Sequence, residues 1–409
     1  MNGKPYTSSH KAKCWQEINF SIAKCHVKKL QRRIQAAYCQ ADMGKLKSLI
    51  HLTLHSFYAK ALAVHYVCSR PGKNTPGIDE ILWKSDRDKF EAIYSLRLRG
   101  YRPMPLKRIY IKKSNGRRRM LGIPTLRDRA MQTLYRFVLE PIAELLADKH
   151  SYAYRPGRSV KDAILLLERC MSEYLWVLKA DIQSCFDNIS QEWILRYIPM
   201  DKKILRKFLR AGCIDHKKWY PTNRGVAQGG SLSNIICNLT LDGLKDVLTV
   251  NVGTDIEVIR YADDFIIFAD NKAVLVQDVI PAVEQFLSER GLHLSKEKTS
   301  VFQMEDGIVF LGWSLSWQEG ELISVPSQRA IQSFKEKVEK IVLDESFLSL
   351  EEKKKKLQSI IRGWKSFYRM ATFPFMEGME FEIVMLINQL SGIPDLAVAA
   401  SKAFSGNKL

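Results

Sequence analysis

Two adjacent carboxylates stand inside an apolar stretch of this 409-residue chain. Asp263 and Asp264 lie between two runs of β-branched and aromatic residues that together cover residues 256–269. The pattern predicts a β-hairpin with both acids at its turn. Unpaired acids among apolar residues are costly to bury, and a divalent cation such as Mg²⁺, which binds carboxylate and phosphate oxygens, would compensate them. For the dipeptide alone, a solvated hairpin turn is the ordinary alternative.

A third acid ends a second predicted strand. Residues 176–182 form a largely apolar run that carries Asp181 near its end. If this strand and the hairpin belong to one antiparallel sheet, three carboxylates converge at its edge. A two-metal phosphoryl-transfer site needs such a group, because one ion helps to deprotonate the attacking hydroxyl and the other stabilises the leaving pyrophosphate. The spacing alone leaves nucleases, nucleotide cyclases and polymerases open.

Two upstream segments could hold a nucleotide against these acids. Residues 107–124 predict a basic hairpin with an Asn-Gly turn, which is the strongest short hairpin signal. Its Lys113 and Arg119 could neutralise the charge of a triphosphate. The Gly-rich segment 225–234 around Gln228 would let a base pair approach the backbone closely.

The charge balance predicts a polyanionic partner. The chain has 63 Lys+Arg against 44 Asp+Glu, a formal net charge of +19 and a pI of about 9.5. Nucleic acid or an anionic membrane surface would suit this surplus, and a basic enzyme without such a partner is the alternative. No apolar run reaches the roughly 18 residues that cross a bilayer. Since the eight cysteines show no CxxC, reduced thiols in a cytoplasmic protein are expected.

Helices should position these segments. Apolar residues recur at three- and four-residue steps over 22–67, and the polar face of this region is almost wholly basic. Arg32 and Arg33 lie on that face, where contact with a phosphate backbone is favoured over simple solvation. Other helices are predicted over residues 128–146 with a break at Pro141, 160–174 with Ser159 as cap, 235–248, 273–291, 330–343, 350–368 and 378–390.

The order of these segments resembles that of reverse transcriptases, and specifically the group II intron-like branch of bacteria. Tyr261-Ala262-Asp263-Asp264 matches the catalytic Tyr-x-Asp-Asp box, and residues 180–186 match the first metal-binding motif. Gln228 and Ser233 match the motif that packs on the incoming nucleotide. Further matches lie at residues 30–34, 72–79, 150–156, 310–313 and 361–368, so that the resemblance covers about residues 25–370.

The resemblance implies roles for individual residues. Asp181, Asp263 and Asp264 would be the catalytic acids and, with the backbone of Ile182, the ligands of two Mg²⁺ ions, with Mn²⁺ as a substitute. The incoming dNTP would be bound by Lys113, Arg119, Phe186, Gln228 and Lys298. In the family the bulk at Phe186 excludes a ribose 2′-hydroxyl, and a lysine such as Lys298 assists the leaving pyrophosphate. Nucleic acid would be contacted by Arg32, Arg33, Arg155, Tyr261, Gly312, Trp313 and Lys365.

The implied fold is α+β, the right-hand polymerase fold with fingers, a palm that contains an antiparallel sheet, and a helical thumb. A helical N-terminal extension at residues 1–70 would precede it. The fingers with a fingertip loop would cover 71–175, the palm 176–322, and the thumb or maturase-like region 323–409.

Two departures from the family concern the Gly-rich turn, where Ala227 and Asn234 replace the usual prolines. They alter the backbone freedom of the turn more than its chemistry.

Because no DNA-binding or endonuclease region is found before residue 409, we expect a compact enzyme. Its expected partners are an RNA template, dNTPs and the cDNA product, with no membrane. The expected function is to copy a cognate, structured noncoding RNA into cDNA in bacterial anti-phage defence. The alternatives are intron splicing with retrohoming, and RNA binding with incidental polymerase activity.

Overall fold

The structure is a computed structural model that describes residues 12–112, 116, 118–253, 255–344, 348–372 and 374–405. The chain divides into two compact units. The first contains Met1–Arg158, Ala180–Phe265 and Gln277–Thr299, and the second contains Ser159–Lys179, Ile266–Val276 and Ser300–Leu409. The acids Asp181, Asp263 and Asp264 therefore all belong to the first unit. The boundaries expected for fingers, palm and thumb remain a prediction.

Helices account for most of the elements described. In the first half of the chain they are α1 Phe20–Cys39, α2 Met43–His55, α3 Phe57–Ser69, α4 Asp86–Ser95, α5 Leu126–Leu146, α6 Val160–Glu173, α7 Cys185–Asn188 and α8 Gln191–Tyr197. In the second half they are α9 Lys202–Leu209, α10 Ser233–Leu241, α11 Leu244–Val252, α12 Ile280–Ser288, α13 Gln328–Val342, α14 Leu350–Phe367, α15 Phe375–Ser391 and α16 Pro394–Ser405. In the part of the chain that the structure describes, every helix is too short or too polar to span a bilayer.

The strands form small sheets. They are β1 Leu106–Lys112, β2 Arg118–Ile123, β3 Trp176–Asp181, β4 Cys213–Asp215, β5 Lys218–Tyr220, β6 Glu257–Tyr261, β7 Asp264–Ala269, β8 Ser300–Gln303, β9 Ile308–Phe310, β10 Trp313–Gln318 and β11 Glu321–Pro326. Their orders are β2-β1-β4-β5, β11-β10-β9 and β6-β7-β3-β8. The last of these is the catalytic sheet. The predicted α+β class, with an antiparallel sheet and a helical N-terminal region, is confirmed.

The N-terminal region is helical as predicted, but it is built as three helices. Each begins at a residue whose side chain accepts a hydrogen bond from the first turn: Asn19 for α1, Asp42 for α2 and Ser56 for α3. The apolar positions of α1 are buried, which leaves Arg32 and Arg33 exposed on its opposite face. The amphipathic pattern therefore predicted the orientation of this helix correctly.

Helix α5 differs from the prediction because it runs through Pro141 without a break. A proline inside a helix removes the hydrogen bond to the carbonyl four residues earlier, which here belongs to Phe137. The side chain of Gln31 supplies the missing donor, because its Nε2 donates to the Phe137 carbonyl at 3.0 Å.

A second difference concerns the helix predicted over residues 235–248. It is split into α10 and α11, and Gly243 between them has a left-handed φ of 89°. The hairpin predicted over residues 107–124 is confirmed in its strands β1 and β2, which pair antiparallel. Residues 113–115 and 117 of its turn lie outside the described part of the chain.

The second unit has an apolar core of its own, formed mainly by α13 to α16. Phe334 of α13 is almost completely buried and stacks on Trp364 of α14, with ring centroids 4.5 Å apart and planes 10° from parallel. Aromatic pairs of this kind add to the free energy gained by burial alone.

Replacement of this phenylalanine should destabilise the second unit. We expect Phe334→Ala to lower the free energy of unfolding by about 3–5 kcal/mol, because it leaves a cavity beside Trp364. Urea unfolding followed by tryptophan fluorescence would measure the change. The matched control is Phe381→Ala on α15, whose side chain is exposed and whose loss should cost less than about 0.5 kcal/mol. Equal costs for the two variants would contradict the assignment of this core.

Candidate active site

The two adjacent acids lie at the tight turn between β6 and β7, as the sequence predicted. Ala262 at this turn has a left-handed φ of 59°, a conformation that costs about 1–2 kcal/mol for a residue with a Cβ. The flanking strands are buried, whereas Asp264 is exposed and Asp263 is partly exposed. The hairpin therefore carries its carboxylates out of an apolar interior.

Asp181 ends strand β3, which neighbours β7 in the catalytic sheet. The backbone at this strand end is fixed by residues 293–295. Ser295 N donates to Asp181 O at 2.8 Å, and Gln183 N donates to the carbonyl of residue 293 at 2.9 Å. Between these bonds Ile182 forms an antiparallel bridge with Leu294. The sequence had assigned no structural role to this segment.

The Lys298 ammonium interacts electrostatically with the three acids. Lys298 Nζ lies 2.7 Å from Asp181 Oδ2. This hydrogen bond is the main cause that raises the pKa of Lys298, and the negative charges of Asp181, Asp264 and Asp263 raise it further. Lys298 therefore pairs directly with Asp181 and lies within the electrostatic influence of the two turn acids. Its side chain is 65% exposed, so the ion pair adds little to stability and its interest is chemical.

A large open cavity of about 1350 Å³ lies beside these groups. Its walls include Asp181, Phe186, Gln228, Asp263 and Lys298. Pockets for small ligands usually measure roughly 300–1000 Å³, so the cavity has room for a nucleotide and part of a polynucleotide. Five of the predicted nucleotide or metal residues, Ile182 included, and the predicted gate residue Phe186 thus line one cavity.

The Gly-rich segment is tied to the wall that carries Phe186. Val226 N donates to Phe186 O at 2.7 Å, and Gln228 Nε2 donates to Asp187 Oδ1 at 3.2 Å. Gly225 has a φ of 66°, and a Cβ on it would lie only 2.4 Å from Phe186 O. The glycines were predicted to permit close approach of a base pair. At Gly225 the group that approaches closely is instead the protein's own backbone at Phe186.

Carboxylate oxygens are the ligands that Mg²⁺ prefers, and the cation now beside them is the Lys298 ammonium. The charge and chemistry of the three acids therefore fit divalent ions. Among the residues that the structure describes, however, no three or more His, Cys, Asp or Glu side chains are arranged to hold one metal ion. Asp181 Oδ2 is paired with Lys298 instead, so a metal ion on this oxygen would replace the lysine.

Two predicted triphosphate contacts could not be placed. Lys113 lies outside the described residues, and of Arg119 only the backbone is described, paired with Ile111 across the hairpin. The structure adds Arg118 and Met120 of β2 to the cavity wall. Alternation along a strand places every second side chain on one face, so this periodicity could have identified them.

Several predicted nucleic-acid contacts have internal partners instead. Arg155 pairs with Glu144 at 2.6 Å and is only 8% exposed, and it also donates to two backbone carbonyls. These partners indicate that Arg155 stabilises its own loop rather than contacting a phosphate. Sequence spacing could not reveal the acid eleven positions earlier as its partner.

In the second unit, Trp313 is buried beside Tyr368, with ring centroids 4.9 Å apart. The Tyr368 hydroxyl donates to Gly312 O at 3.1 Å, and Lys365 donates to the carbonyl of Phe404. The predicted contacts at Trp313, Gly312 and Lys365 are thus engaged within the fold. Of the others, Arg32 and Arg33 are exposed and Tyr261 is half-buried.

Comparison with protein-family models gives a match to the reverse transcriptase (RNA-dependent DNA polymerase) model over residues 111–315, which is half of the chain. The chain belongs to the reverse transcriptase family. The N-terminal domain of reverse transcriptase matches residues 15–96, and the group II intron maturase-specific domain matches residues 331–376. The predicted membership in a group II intron-like branch and the RNA-directed DNA polymerase class are confirmed.

Relatives of this reverse transcriptase include protein YkfC of Escherichia coli, 27% identical over 71% of this chain and 88% of that protein. The group II intron-encoded protein LtrA of Lactococcus lactis is 34% identical over 48% of this chain and 34% of its own length. Maturase-like protein 1 of Euglena gracilis is 24% identical over 83% of this chain and 74% of that protein. Apo telomerase of Candida tropicalis aligns with a TM-score of 0.44, at 15% identity, over 75% of this chain and 67% of its own.

The contact of Gly225 with the wall of the cavity can be tested. We expect Gly225→Ala to push the Phe186 and Asp187 backbone outward, because the added Cβ has no space there and the positive φ is strained. The KM for dNTP should rise by about tenfold or more, as measured in steady-state primer extension. The control is Gly253→Ala, where φ is also positive but a Cβ would meet no atom within 4 Å. A KM that is equal in both variants would contradict the role of this contact.

Proposed function

We propose that this reverse transcriptase copies an RNA template into cDNA at the cavity lined by Asp181 and Asp263, with Asp264 as the next residue of the turn. The observation that carries the proposal is one cavity lined by Asp181, Asp263 and Lys298, in which Lys298 Nζ lies 2.7 Å from Asp181 Oδ2. The bulky gate residue Phe186 and Gln228 from the Gly-rich turn line the same cavity. A protein that only binds RNA has no need for three acids at this place.

In the proposed reaction the 3′-hydroxyl oxygen of the primer attacks the α-phosphorus of the dNTP, and the bond to pyrophosphate breaks. Phe186 would lie against C2′ of the incoming sugar and leave no room for a hydroxyl. Gln228, held by Asp187, would pack on the nascent base pair. The Lys298 ammonium, whose pKa is raised by its hydrogen bond to Asp181, could donate a proton to the departing pyrophosphate once the lysine leaves Asp181.

Reverse transcriptases generally depend on divalent metal ions. We propose Mg²⁺ held by Asp181, Asp263 and Asp264, which when bound would polarise the attacking hydroxyl and neutralise the triphosphate. The backbone of Ile182 is proposed as an additional ligand. Lys298 would occupy the position of a cation until the nucleotide and metal arrive.

Loss of the turn carboxylates should stop synthesis. We expect Asp263→Asn combined with Asp264→Asn to lower cDNA synthesis by at least about 10²-fold, because the negative charge that would hold the metal ions is gone. RNA binding, measured by filter retention, should be unchanged. The control is Asp270→Asn, an exposed acid just after the same strand, which should keep full activity. Synthesis that survives the double change would refute the proposed polymerase site.

Sugar selection should depend on Phe186. We expect Phe186→Ala to lower the ratio of kcat/KM for dNTP over rNTP by about tenfold or more, since a hydrophobic wall that excludes one small group is worth roughly 1–3 kcal/mol. Single-nucleotide insertion with each substrate would measure this ratio. The control is Phe90→Ala, a half-buried phenylalanine of α4, and it should leave the ratio unchanged. An unaltered ratio in Phe186→Ala would remove this residue from the gate role.

A maturase role in intron splicing is a second candidate, favoured by the match of residues 331–376 to the maturase-specific domain. The exposed Arg32 and Arg33 would then help to hold structured RNA through its phosphates. A splicing assay with the Asp263→Asn, Asp264→Asn protein separates the roles. Splicing that continues without cDNA synthesis would support the maturase role, and loss of both would tie splicing to the polymerase site.

The template is proposed to be a cognate structured RNA, either intron RNA or a noncoding RNA used in anti-phage defence. Sequencing of the RNA and cDNA that co-purify with the protein would identify it. Catalytic intron RNA domains around the gene would overturn the defence proposal. A noncoding RNA encoded beside the gene, copied only in phage-infected cells, would overturn the intron proposal.

A further inference from the structure

A fully buried ion pair lies directly behind the catalytic turn. The side chains of Arg260 on β6 and Asp242 after α10 are only 1% and 4% exposed. Taking two charges out of water is expensive, and apolar residues of similar volume often give equal or greater stability. Stability alone therefore does not account for this pair, and its contacts point to another purpose.

The guanidinium of Arg260 joins the catalytic turn to α10. Its Nη1 donates to Ala262 O at 3.3 Å and to Asn238 Oδ1 at 3.3 Å, while Nη2 donates to Asp242. Ala262 is the left-handed residue immediately before Asp263. The carbonyl oxygen of the strained Ala262, which precedes Asp263, thus accepts a hydrogen bond from the buried Arg260 guanidinium.

The two anchors are themselves held by the loop that follows α5. Asn238 Nδ2 donates to Ala153 O at 2.8 Å. The Asp148 backbone N–H donates to Asp242 Oδ1 at 3.3 Å, and Asp148 Oδ1 accepts from Gly243 N at 2.8 Å. Neither anchor can therefore move without disturbing this loop.

The same loop grips the backbone of β6 on both sides of the Arg260 side chain. Arg260 N donates to His150 O at 3.0 Å, and Tyr152 N donates to Arg260 O at 2.9 Å. Arg155 closes the loop, because its Nη1 donates to Asp148 O and Ser151 O, both at 2.7 Å. The aromatic and arginine-rich motif at residues 150–156, which the catalytic site does not use directly, thereby supports the catalytic strand.

We propose that Arg260 is a positioning residue for the catalytic turn. Its guanidinium, anchored by Asp242 and Asn238, fixes the left-handed Ala262 peptide and with it the direction in which the Asp263 carboxylate enters the cavity. This inference rests on the proposed polymerase function. Without the bond to Ala262 O, the turn would relax toward a less strained conformation and Asp263 would turn away from Asp181.

Only an arginine can make these three contacts together. The guanidinium is a planar fork whose N–H groups diverge in fixed directions, whereas the ammonium of lysine is a point charge on a flexible stem. Lysine at this position would keep the charge opposite Asp242 and lose the simultaneous reach to Asn238 and Ala262. Arg260→Lys is therefore the sharpest single substitution.

The test compares Arg260→Lys, Arg260→Met and the combined Arg260→Met, Asp242→Leu protein. We expect kcat for single-nucleotide addition to fall by about 10²-fold in all three, while KM for dNTP changes less than threefold, because Phe186 and Gln228 are untouched. Mn²⁺ binding without nucleotide, measured by electron paramagnetic resonance, should weaken by about 10- to 100-fold, as for other residues that orient metal ligands.

The combined variant separates positioning from structure. We expect the urea midpoint to fall in Arg260→Met and to recover in the combined variant, because its buried pair is apolar. In that variant kcat and Mn²⁺ affinity should stay low, since no side chain donates to Ala262 O. Recovery of kcat and Mn²⁺ affinity together with the urea midpoint would overturn the inference. So would values within twofold of the unchanged protein in Arg260→Lys.

Two further proteins complete the experiment. Arg136→Lys is the matched control, because Arg136 is a partly buried arginine of α5 whose ion pair with Glu140 and bond to Tyr66 do not involve the turn. Its kcat and Mn²⁺ affinity should be unchanged, and a loss equal to that of Arg260→Lys would overturn the inference. Asp263→Asn tests the proposed function itself. Synthesis by Asp263→Asn would refute both proposals, whereas its loss beside fully active Arg260 variants would refute the positioning role alone.

Discussion

Mutual repulsion of three carboxylates is the constraint on which the rest of this structure depends. Lys298, which pairs with Asp181, supplies compensating positive charge beside Asp181, Asp263 and Asp264. Like charges held close in a partly buried site disfavour ionisation of the group. Rigid strands beneath the acids, and backbone bonds around them, are what keep the acids from separating.

Those backbone bonds join segments that are far apart in the chain. The end of β3 is held by residues 293–295, the Gly-rich turn by α7, and Gly122 of β2 by Gln228, whose carbonyl it contacts at 3.2 Å. Each link uses main-chain groups, so the backbone beneath the cavity is fixed without using the side chains that face it. Preorganisation of this kind lets a site stabilise charge without having to rearrange at the moment of reaction.

Much of this site could be predicted because strand alternation and strand ends are local properties of a sequence. The hairpin at Asp263 and the strand that ends at Asp181 follow from apolar runs interrupted by acids. The internal partners of Arg155, and the donor that lets α5 continue through Pro141, depend on residues distant in sequence, so periodicity could not reveal them. Arg260 was also missed. A lone charge inside an apolar strand was the available signal, because such a charge must have a buried partner.

Through the hydrogen bond from Gln31 to the Phe137 carbonyl, α1 supplies a donor that the backbone of α5 lacks. A helix that contains proline normally bends or ends there, yet here a side chain from another helix completes its backbone. The register between α1 and α5 is therefore fixed to a single residue. One inserted or deleted residue in the first turns of α1 would rotate Gln31 away by about 100° and leave an orphaned carbonyl in the interior. An insertion or deletion in α1 therefore has to be matched by a change in α5, because one hydrogen bond fixes the register between the two helices.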